Sequence, residues 1–284
     1  MLYLAVAVVA VVAVLLVAFV ALPALTTSNS SGSGRGPAVL TYREAAPIAN
    51  GTAAGYAGGG WTLLFAAGLV SATNESFPAN TTALGNLTSG CTVKVVTGTS
   101  SLTLPGFVGN RSSGLSPAWE FGYRNSSDTI AIVSVINGQG MVLATISGTE
   151  CAFYAQLLAP IPGDAIDSSS AALAVQPKAA AFLSEHPNAS AEFGLIGGIS
   201  FLGHPTPEWS ITYSTCALSP TATGTGDRFN ATVNALTGSV TSTNTTTGVS
   251  CGGGTTAAGA PIPGEHVLLP IGASATRARS SEPA

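Results

Sequence analysis

The sequence contains few charged side chains. Asp, Glu, Lys and Arg make up 8% of the 284 residues, against about 25% in ordinary soluble domains. The two lysines, Lys94 and Lys178, and the seven arginines are spread along the chain, so no basic patch exists that would neutralise phosphates. This scarcity argues against nucleic-acid binding and indicates a surface that is polar but mostly uncharged.

Low charge does not indicate a disordered chain in this case. Disordered chains combine low hydrophobicity with high net charge, whereas this one is 46% hydrophobic with a net charge of -4. We also raise the hypothesis that sparse charge with many hydroxyl groups suits acidic surroundings, because charge repulsion then changes little when carboxylates are protonated.

The common catalytic signatures are missing as well. There is no Gly-x-Ser-x-Gly elbow, no phosphate-binding loop ending in Lys-Ser or Lys-Thr, no His-Glu-x-x-His pair and no acidic calcium loop. His186 and His204 each precede a proline, and His266 lies near the C-terminal end, which favours turn and surface roles over metal binding. The sequence therefore predicts a protein without catalytic residues, metal or cofactor.

Two pairs of acidic residues keep a hydrolase open as an alternative. Glycoside hydrolysis needs two carboxyl groups at a defined separation across a cleft, and Asp164 with Asp167, or Glu185 with Glu192, would supply such a pair. Any acidic pair meets that requirement on sequence alone, and either aspartate is equally suited to cap a helix that begins in SSSAAL. We therefore assign no catalytic residue.

The N-terminus is rich in apolar residues. Residues 1–25 contain no charged side chain and include the run LYLAVAVVAVVAVLLVAFVAL. About 20 such residues in a helix span the roughly 30 Å hydrocarbon layer of a bilayer, so we predict a transmembrane anchor over residues 1–25. A cleaved signal peptide is the main alternative, although it needs a basic start and a small-residue cleavage site. A pilin-like helix packed in a filament is another.

Asparagine is concentrated in glycosylation acceptor sites. Ten of the twelve asparagines begin Asn-x-Ser or Asn-x-Thr, where about three are expected from the abundance of Ser and Thr. Such sites are modified only on the outer or luminal side of a membrane, so we place everything after the anchor outside the cell, with the acceptors at its surface. The ten acceptors are Asn29, Asn50, Asn74, Asn80, Asn86, Asn110, Asn125, Asn188, Asn230 and Asn244.

Low-complexity stretches predict where the folded part begins and ends. The stretch SNSSGSGRGP at residues 28–37 is typical of a flexible linker, and we predict a tether over residues 26–60. From Gly252 onward Gly, Ala, Thr and Pro predominate. Residues 252–284 are therefore predicted to form a loosely ordered tail, with one short strand at residues 267–269.

An internal match organises the region between tether and tail. The segments SPAWEFGY (residues 116–123) and TPEWSITY (residues 206–213) share the pattern hydroxyl-Pro-x-Trp-x-apolar-x-Tyr. Alternation places the Trp, the central apolar residue and the Tyr of each segment on one face of a strand. Aromatic residues on half-buried strands belong to the core more often than to a binding surface, so we expect these side chains to be buried: Trp119, Tyr123, Trp209 and Tyr213.

Further matches surround these two segments. Residues 133–142 match residues 231–240 as a strand, a turn with glycine and a second strand. Each copy then ends in Gly-x-x-Cys, at Cys151 and at Cys251. Coincidence between two Trp-bearing strands in a low-complexity background is the alternative to a true repeat.

The repeat leads to a prediction of fold. Helical spacing of apolar residues precedes each copy, at residues 61–72 and 177–185. We predict an α+β fold in which the transmembrane helix is followed by two tandem helix-plus-antiparallel-sheet modules, residues 61–160 and 161–251. An extra hairpin at residues 91–104 would enlarge the first.

Four cysteines in an exported chain predict two disulfides among three pairings. If Cys151 and Cys251 occupy equivalent positions, the simplest pairing closes each module on itself, as Cys91 with Cys151 and Cys216 with Cys251. The cysteines are at least 35 residues apart, which does not match the close ligand pairs of a zinc site.

The second module resembles a PepSY-type domain, a small helix-plus-hairpin unit of exported proteins. The resemblance rests on the Ala-rich stretch PKAAAFLSEHP, the strand at residues 209–213, and NALTGSV at residues 234–240. The last stretch is similar to the closing Asp-Ala-x-Thr-Gly-x-Val of that family, with Asn234 in place of the Asp. The resemblance implies a noncatalytic module that binds or restrains a partner protein at the cell envelope.

Together these features predict a noncatalytic, membrane-anchored extracellular glycoprotein that binds a cell-surface protein or forms part of the envelope. Three alternatives remain open at this point. They are a PepSY-like regulator of an exported protease, a pilin-like or surface-layer subunit, and an extracellular hydrolase.

Overall fold

The computed structural model describes residues 38–56, 59–78, 91–96, 101–107, 109–199, 206–218 and 223–251. Within those ranges, no helix has the length and apolar character needed to cross a membrane. The predicted anchor at residues 1–25 and the predicted tail at residues 252–284 lie outside them.

The described residues form three helices and eleven strands. The helices are α1 (Tyr42–Gly55), α2 (Thr149–Leu157) and α3 (Ser168–Glu185). In chain order the strands are β1 (Thr62–Val70), β2 (Glu75–Pro78), β3 (Thr92–Val95), β4 (Ser101–Leu104), β5 (Ala118–Arg124), β6 (Ile130–Ile136), β7 (Gln139–Ser147), β8 (Ser190–Ile196), β9 (Glu208–Ser214), β10 (Thr225–Asn234) and β11 (Val240–Ser250).

Nine of these strands form one antiparallel sheet in the order β11-β10-β9-β8-β1-β5-β6-β7-β3. At its middle β1 pairs with β8, so that Phe65 lies opposite Ile196 and Val70 opposite Ala191. From this centre the chain runs outward on each side, through β5, β6 and β7 on one and through β9, β10 and β11 on the other. Strands β2 and β4 form a separate two-stranded sheet.

The prediction of two helix-plus-sheet modules is wrong. The pairing of β1 with β8 joins both halves into a single nine-stranded sheet, which dominates the fold and carries only short helices. The matched Trp segments do occupy corresponding places in it, because β5 lies next to β1 and β9 lies next to β8. Sequence similarity between strands therefore did not reveal that the strands share one sheet.

The helix predicted at residues 61–72 is also wrong, because Thr62–Val70 is strand β1. The run TLLFAAGLV is apolar throughout, and its last seven residues are buried. A continuous apolar run fits either a helix or a central strand that is covered on both faces. β1 is such a central strand, with β8 on one side and β5 on the other.

A helix instead lies inside the range predicted as a tether. α1 begins after Thr41, whose hydroxyl accepts a hydrogen bond from the Glu44 backbone N–H while the Glu44 carboxylate accepts one from the Thr41 N–H. This capping box satisfies backbone donors that a helix start leaves free. The described structure therefore begins its first helix well before Gly60, where the predicted tether ends.

Other predicted elements have mixed outcomes. The helix predicted at residues 177–185 is confirmed as the second half of α3, which ends at Glu185 with His186 as its C-cap. Both strand-turn-strand patterns are confirmed, as β6 with β7 and β10 with β11. The hairpin predicted at residues 91–104 is wrong, because β3 pairs with β7 whereas β4 pairs with β2.

The helices lie on two faces of the sheet. α1 contacts β5, β6 and β7, and α3 contacts β9, β10 and β11. Both helices contribute alanines to one cluster with alternate residues of the strands, and we call this face of the sheet the front face. α2 contacts β6 and β7 and packs with the intervening strand residues, such as Ile132, on the opposite or back face.

Candidate functional site

The centre of the front face is an aromatic core. Trp119 on β5 and Trp209 on β9 are both buried, with ring centroids 6.3 Å apart in an edge-to-face arrangement. The Trp119 indole N–H donates to the Leu40 carbonyl at 2.8 Å, and the Trp209 indole N–H donates to the Ile166 carbonyl at 3.1 Å. Each acceptor lies immediately before the N-cap residue of a helix, so the two tryptophans fix where α1 and α3 begin.

The two helix starts are also joined to each other. The Ser168 hydroxyl accepts from the Tyr42 backbone N–H at 2.9 Å, and the Asp167 carboxylate accepts from the Arg43 backbone N–H at 2.9 Å. The Arg43 guanidinium in turn donates to the Ala165 carbonyl. Asp167 is the N-cap residue of α3, as one of the two aspartates was predicted to be. Its carboxylate thus accepts hydrogen bonds from the first turns of both helices.

The aromatic rows do not form an open stacking surface. Tyr123 and Tyr213 are buried, and burial raises the pKa of each phenol. The Tyr123 hydroxyl donates to the Asn50 side-chain oxygen at 2.7 Å, whereas the Tyr213 hydroxyl has no hydrogen-bond partner among the described residues. Burial likewise raises the pKa of Tyr42 to about 12. The prediction that these rows belong to the core is confirmed.

The back face differs between the two halves of the sheet. On the half formed by β5, β6 and β7, Ile130, Ile132 and Ile146 pack against α2. On the other half, one row of directly opposed residues crosses β8 to β11. This row, which we call the polar row, consists of Glu192, Thr212, Asn230 and Asn244.

The polar row is partly tied together. The Thr212 hydroxyl donates to the Asn230 side-chain oxygen at 3.0 Å. Glu192 is half-buried, and burial raises the pKa of its carboxyl while the positive charge of Arg228 partly opposes this effect. Thr212 and Asn230 are also half-buried, and Asn244 is exposed. The row can offer hydrogen bonds to a partner that lies across the strands.

A second carboxyl group lies on the back face, on the other half of the sheet. Glu120 on β5 is 5% exposed, and its Oε1 atom has no hydrogen-bond partner in the described part of the chain. Burial raises the pKa of this carboxyl well above its ordinary value. A neutral carboxyl avoids the large cost of burying an unpaired charge. The sequence analysis missed Glu120, although its place between Trp119 and Phe121 of a predicted strand was visible.

The acidic residues considered for a hydrolase are not brought together by described contacts. Asp167 caps α3, Asp164 is exposed, and Glu185 ends α3 while Glu192 lies on β8. His186 is the C-cap of α3, and its ring lies 3.5 Å from the Asp227 carboxylate. His204 and His266 lie outside the described residues. No group of three or more His, Cys, Asp or Glu side chains able to hold a metal occurs within the described ranges.

Both predicted disulfides are present. Cys91 is bonded to Cys151 and Cys216 to Cys251, with sequence separations of 60 and 35 residues. The first joins the residue before β3 to α2, and the second joins the loop after β9 to the end of β11. Each bond therefore ties down one outer region of the nine-stranded sheet.

The described glycosylation acceptors lie at the surface to different degrees. Asn125 and Asn230 are half-buried, and Asn29, Asn80 and Asn86 lie outside the described residues. In the hydrogen bonds of the described acceptors the side-chain oxygen accepts, so these bonds do not use the nitrogen that carries a glycan. The exposed acceptors are Asn50, Asn74, Asn110, Asn188 and Asn244.

The stretches that carry the PepSY resemblance fall in one part of the fold. The Ala-rich stretch lies in α3, residues 209–213 lie in β9, and residues 234–240 form the turn between β10 and β11, where Gly238 has a positive φ of 73°. No protein-family model, no curated protein and no solved structure matches this chain.

Proposed function

We propose that this chain is a noncatalytic, membrane-anchored glycoprotein of the cell surface, with its folded region outside the cell and a binding or envelope-structural role. The observation that carries this proposal is the pair of disulfides, Cys91 with Cys151 and Cys216 with Cys251. Disulfides persist in oxidising surroundings such as the outside of a cell and are rare in the cytosol. The exposed acceptor asparagines fit the same location.

The geometry of the sheet supports a binding role over a catalytic one. The aromatic rows are used internally to hold α1 and α3 to the front face, and the polar row presents hydroxyl and amide groups on the back face. Glu192 is the only ionisable residue of the polar row. Such a row suits hydrogen bonding to a partner across the strands rather than proton transfer at one point.

The location is testable through the two lysines of the chain. Lys94 and Lys178 are both exposed. An amine-reactive reagent that does not cross membranes should therefore label the full-length protein on intact cells. A Lys94→Arg/Lys178→Arg variant keeps both charges and serves as the matched control, because it should lose that labelling.

The two outcomes of this experiment are distinct. Labelling of intact cells that disappears in the double variant supports an external ectodomain. Labelling that appears only after the cells are broken open contradicts the proposed location.

A regulator of an exported protease is the second candidate function. It is favoured by the placement of the three PepSY-like stretches in α3, β9 and the turn between β10 and β11, since α3 packs on these strands. In that case the purified full-length protein should lower the proteolytic activity of the medium in which its cells grow. Unchanged proteolysis at increasing protein concentration would remove this candidate.

A further inference from the structure

The two outer strands of the nine-stranded sheet are protected very differently. β3 has four residues and carries the exposed Lys94, and a short length and a lysine are both features that prevent an outer strand from pairing with another chain. β11 has eleven residues, VTSTNTTTGVS, with neither charge nor proline. These residues extend over about 37 Å. β11 therefore lacks the protection that β3 has.

The regular part of β11 is limited to its middle. The register between β10 and β11 shifts between Gly226 and Arg228, and again between Thr232 and Val233. Such irregularities bend an outer strand and interrupt its pairing. Between them, residues 242–246 pair one to one with β10. This middle stretch is the part of the edge best suited to accept another strand.

The chemistry of the middle stretch fits a second copy of the same chain. When two identical strands pair antiparallel, each side chain lies opposite a member of the same set, so a charged strand would repel itself. Residues 242–246 have the sequence Ser-Thr-Asn-Thr-Thr, without charge. Opposed threonines are favourable cross-strand pairs, and the stretch has no charge pattern by which an unlike partner would be selected.

A glycosylation acceptor lies at the centre of the middle stretch. Asn244 is exposed, and it lies directly opposite Asn230 of β10, which is itself an acceptor. Opposed residues have Cβ atoms only about 5 Å apart, so two glycans would compete for the same space. Asn230 is half-buried and bonded to Thr212, which favours Asn244 as the modified residue.

We propose that residues 242–246 of β11 pair with the same stretch of a second copy in antiparallel orientation, and that a glycan on Asn244 prevents this pairing. The inference rests on the proposed extracellular, glycosylated state of the chain. A bulky, hydrated glycan on the middle residue covers the free N–H and C=O groups on either side of it. Occupancy of Asn244 then sets whether the nine-stranded sheet ends at β11 or continues into a second molecule.

The test compares the mass of the full-length protein in detergent for variants that lose or keep the acceptor. Asn244→Gln removes the asparagine, and Thr246→Ala removes the acceptor sequence while keeping Asn244. Both variants should double in protein mass by light scattering. The matched control Thr246→Ser keeps the acceptor sequence and should remain a monomer, as should Asn188→Gln, which removes an exposed acceptor elsewhere.

A further variant tests whether the dimer uses the edge of β11. Thr245→Lys, added to Asn244→Gln, places a lysine in the middle stretch and should restore the monomer. A monomeric Asn244→Gln protein, or a dimer that persists with the added lysine, overturns the proposal. So does a monomeric wild type in which mass spectrometry finds Asn244 unmodified.

The same samples separate this inference from the proposed function. Absence of glycans from every acceptor contradicts the proposed function. A glycan on Asn244 in the wild type, together with a monomeric Asn244→Gln variant, contradicts the edge pairing alone.

Discussion

The two halves of the back face differ, although one sheet runs through both. On the first half, all seven residues of β6 are buried. On the face that α1 does not cover, Ile130 and Ile132 pack with α2, and Ile136 packs with Leu104 of β4. On the second half, β9 alternates between buried and half-buried residues, with Thr212 among the latter. The difference teaches that a strand is buried along its whole length where other elements pack on both faces of the sheet, and alternates where only the front face is covered.

The largest expected effects come from the disulfides, one in each outer region. Replacing Cys91 and Cys151 by serine should lower the free energy of unfolding by about 4 kcal/mol, because the bond closes a loop of 60 residues. Replacing Cys216 and Cys251 should lower it by a similar amount, since loop-closure entropy changes slowly with length. Urea unfolding of the full-length protein measures both, and a pair whose loss costs nothing would contradict this account.

The next contrast concerns the covered and the open half of the back face. Ile132 is fully buried beneath α2, so Ile132→Ala should cost about 3 kcal/mol through lost burial and the cavity left behind. Thr212→Ala removes one hydrogen bond to Asn230 on the open half and should cost about 1 kcal/mol or less. Equal losses in urea unfolding would show that the two halves are covered alike.

The buried carboxyl of Glu120 should make stability depend on pH. Its folded pKa is raised by burial, so its contribution to stability is fully present below the unfolded pKa, about 4.3. That contribution is lost as the pH rises through the folded pKa. Glu120→Gln should therefore reduce the loss of unfolding free energy between pH 4 and pH 7.

The matched control for this experiment is Ile132→Ala, which weakens the back-face core without changing any titratable group. It should lower the free energy of unfolding at both pH values by the same amount and leave its pH dependence as it is in the wild type. If Glu120→Gln also leaves it unchanged, the Glu120 carboxyl does not titrate as described. Burial also raises the pKa values of Glu192 and Glu208. These two carboxyls would account for any dependence of the unfolding free energy on pH that remains in Glu120→Gln.

The smallest contrast is between the two matched tyrosines. Tyr123→Phe removes a hydrogen bond to Asn50 and should cost about 1 kcal/mol. Tyr213→Phe removes a buried hydroxyl that has no partner among the described residues, so it should be neutral or slightly stabilising. Thermal unfolding measures the difference. A larger loss of stability for Tyr213→Phe than for Tyr123→Phe would contradict the assignment of the hydrogen-bonded hydroxyl to Tyr123.

The sequence was sufficient to predict local features that depend on nearby residues. The disulfide pairing followed from the repeated Gly-x-x-Cys, and the two Trp-bearing strands followed from alternation. The start of α1 was equally visible, because Thr41-Tyr-Arg-Glu44 has the spacing of a capping box. It was missed because Gly- and Ser-rich neighbours indicated a tether.

Features that depend on distant pairing could not be predicted in the same way. The run at β1 is apolar on every side, which fits a helix and a central strand equally well. Only its pairing with β8, more than a hundred residues later in the chain, distinguishes the two. The polar row likewise needs the register of four strands, which no single segment of sequence contains.

The most direct test of the central claim is peptide mapping by mass spectrometry, without reduction, of the protein isolated from the cells that produce it. An extracellular glycoprotein should yield linked peptides for Cys91 with Cys151 and for Cys216 with Cys251. It should also yield glycopeptides at exposed acceptors such as Asn188 and Asn244. Free thiols together with unmodified asparagines throughout would contradict the account.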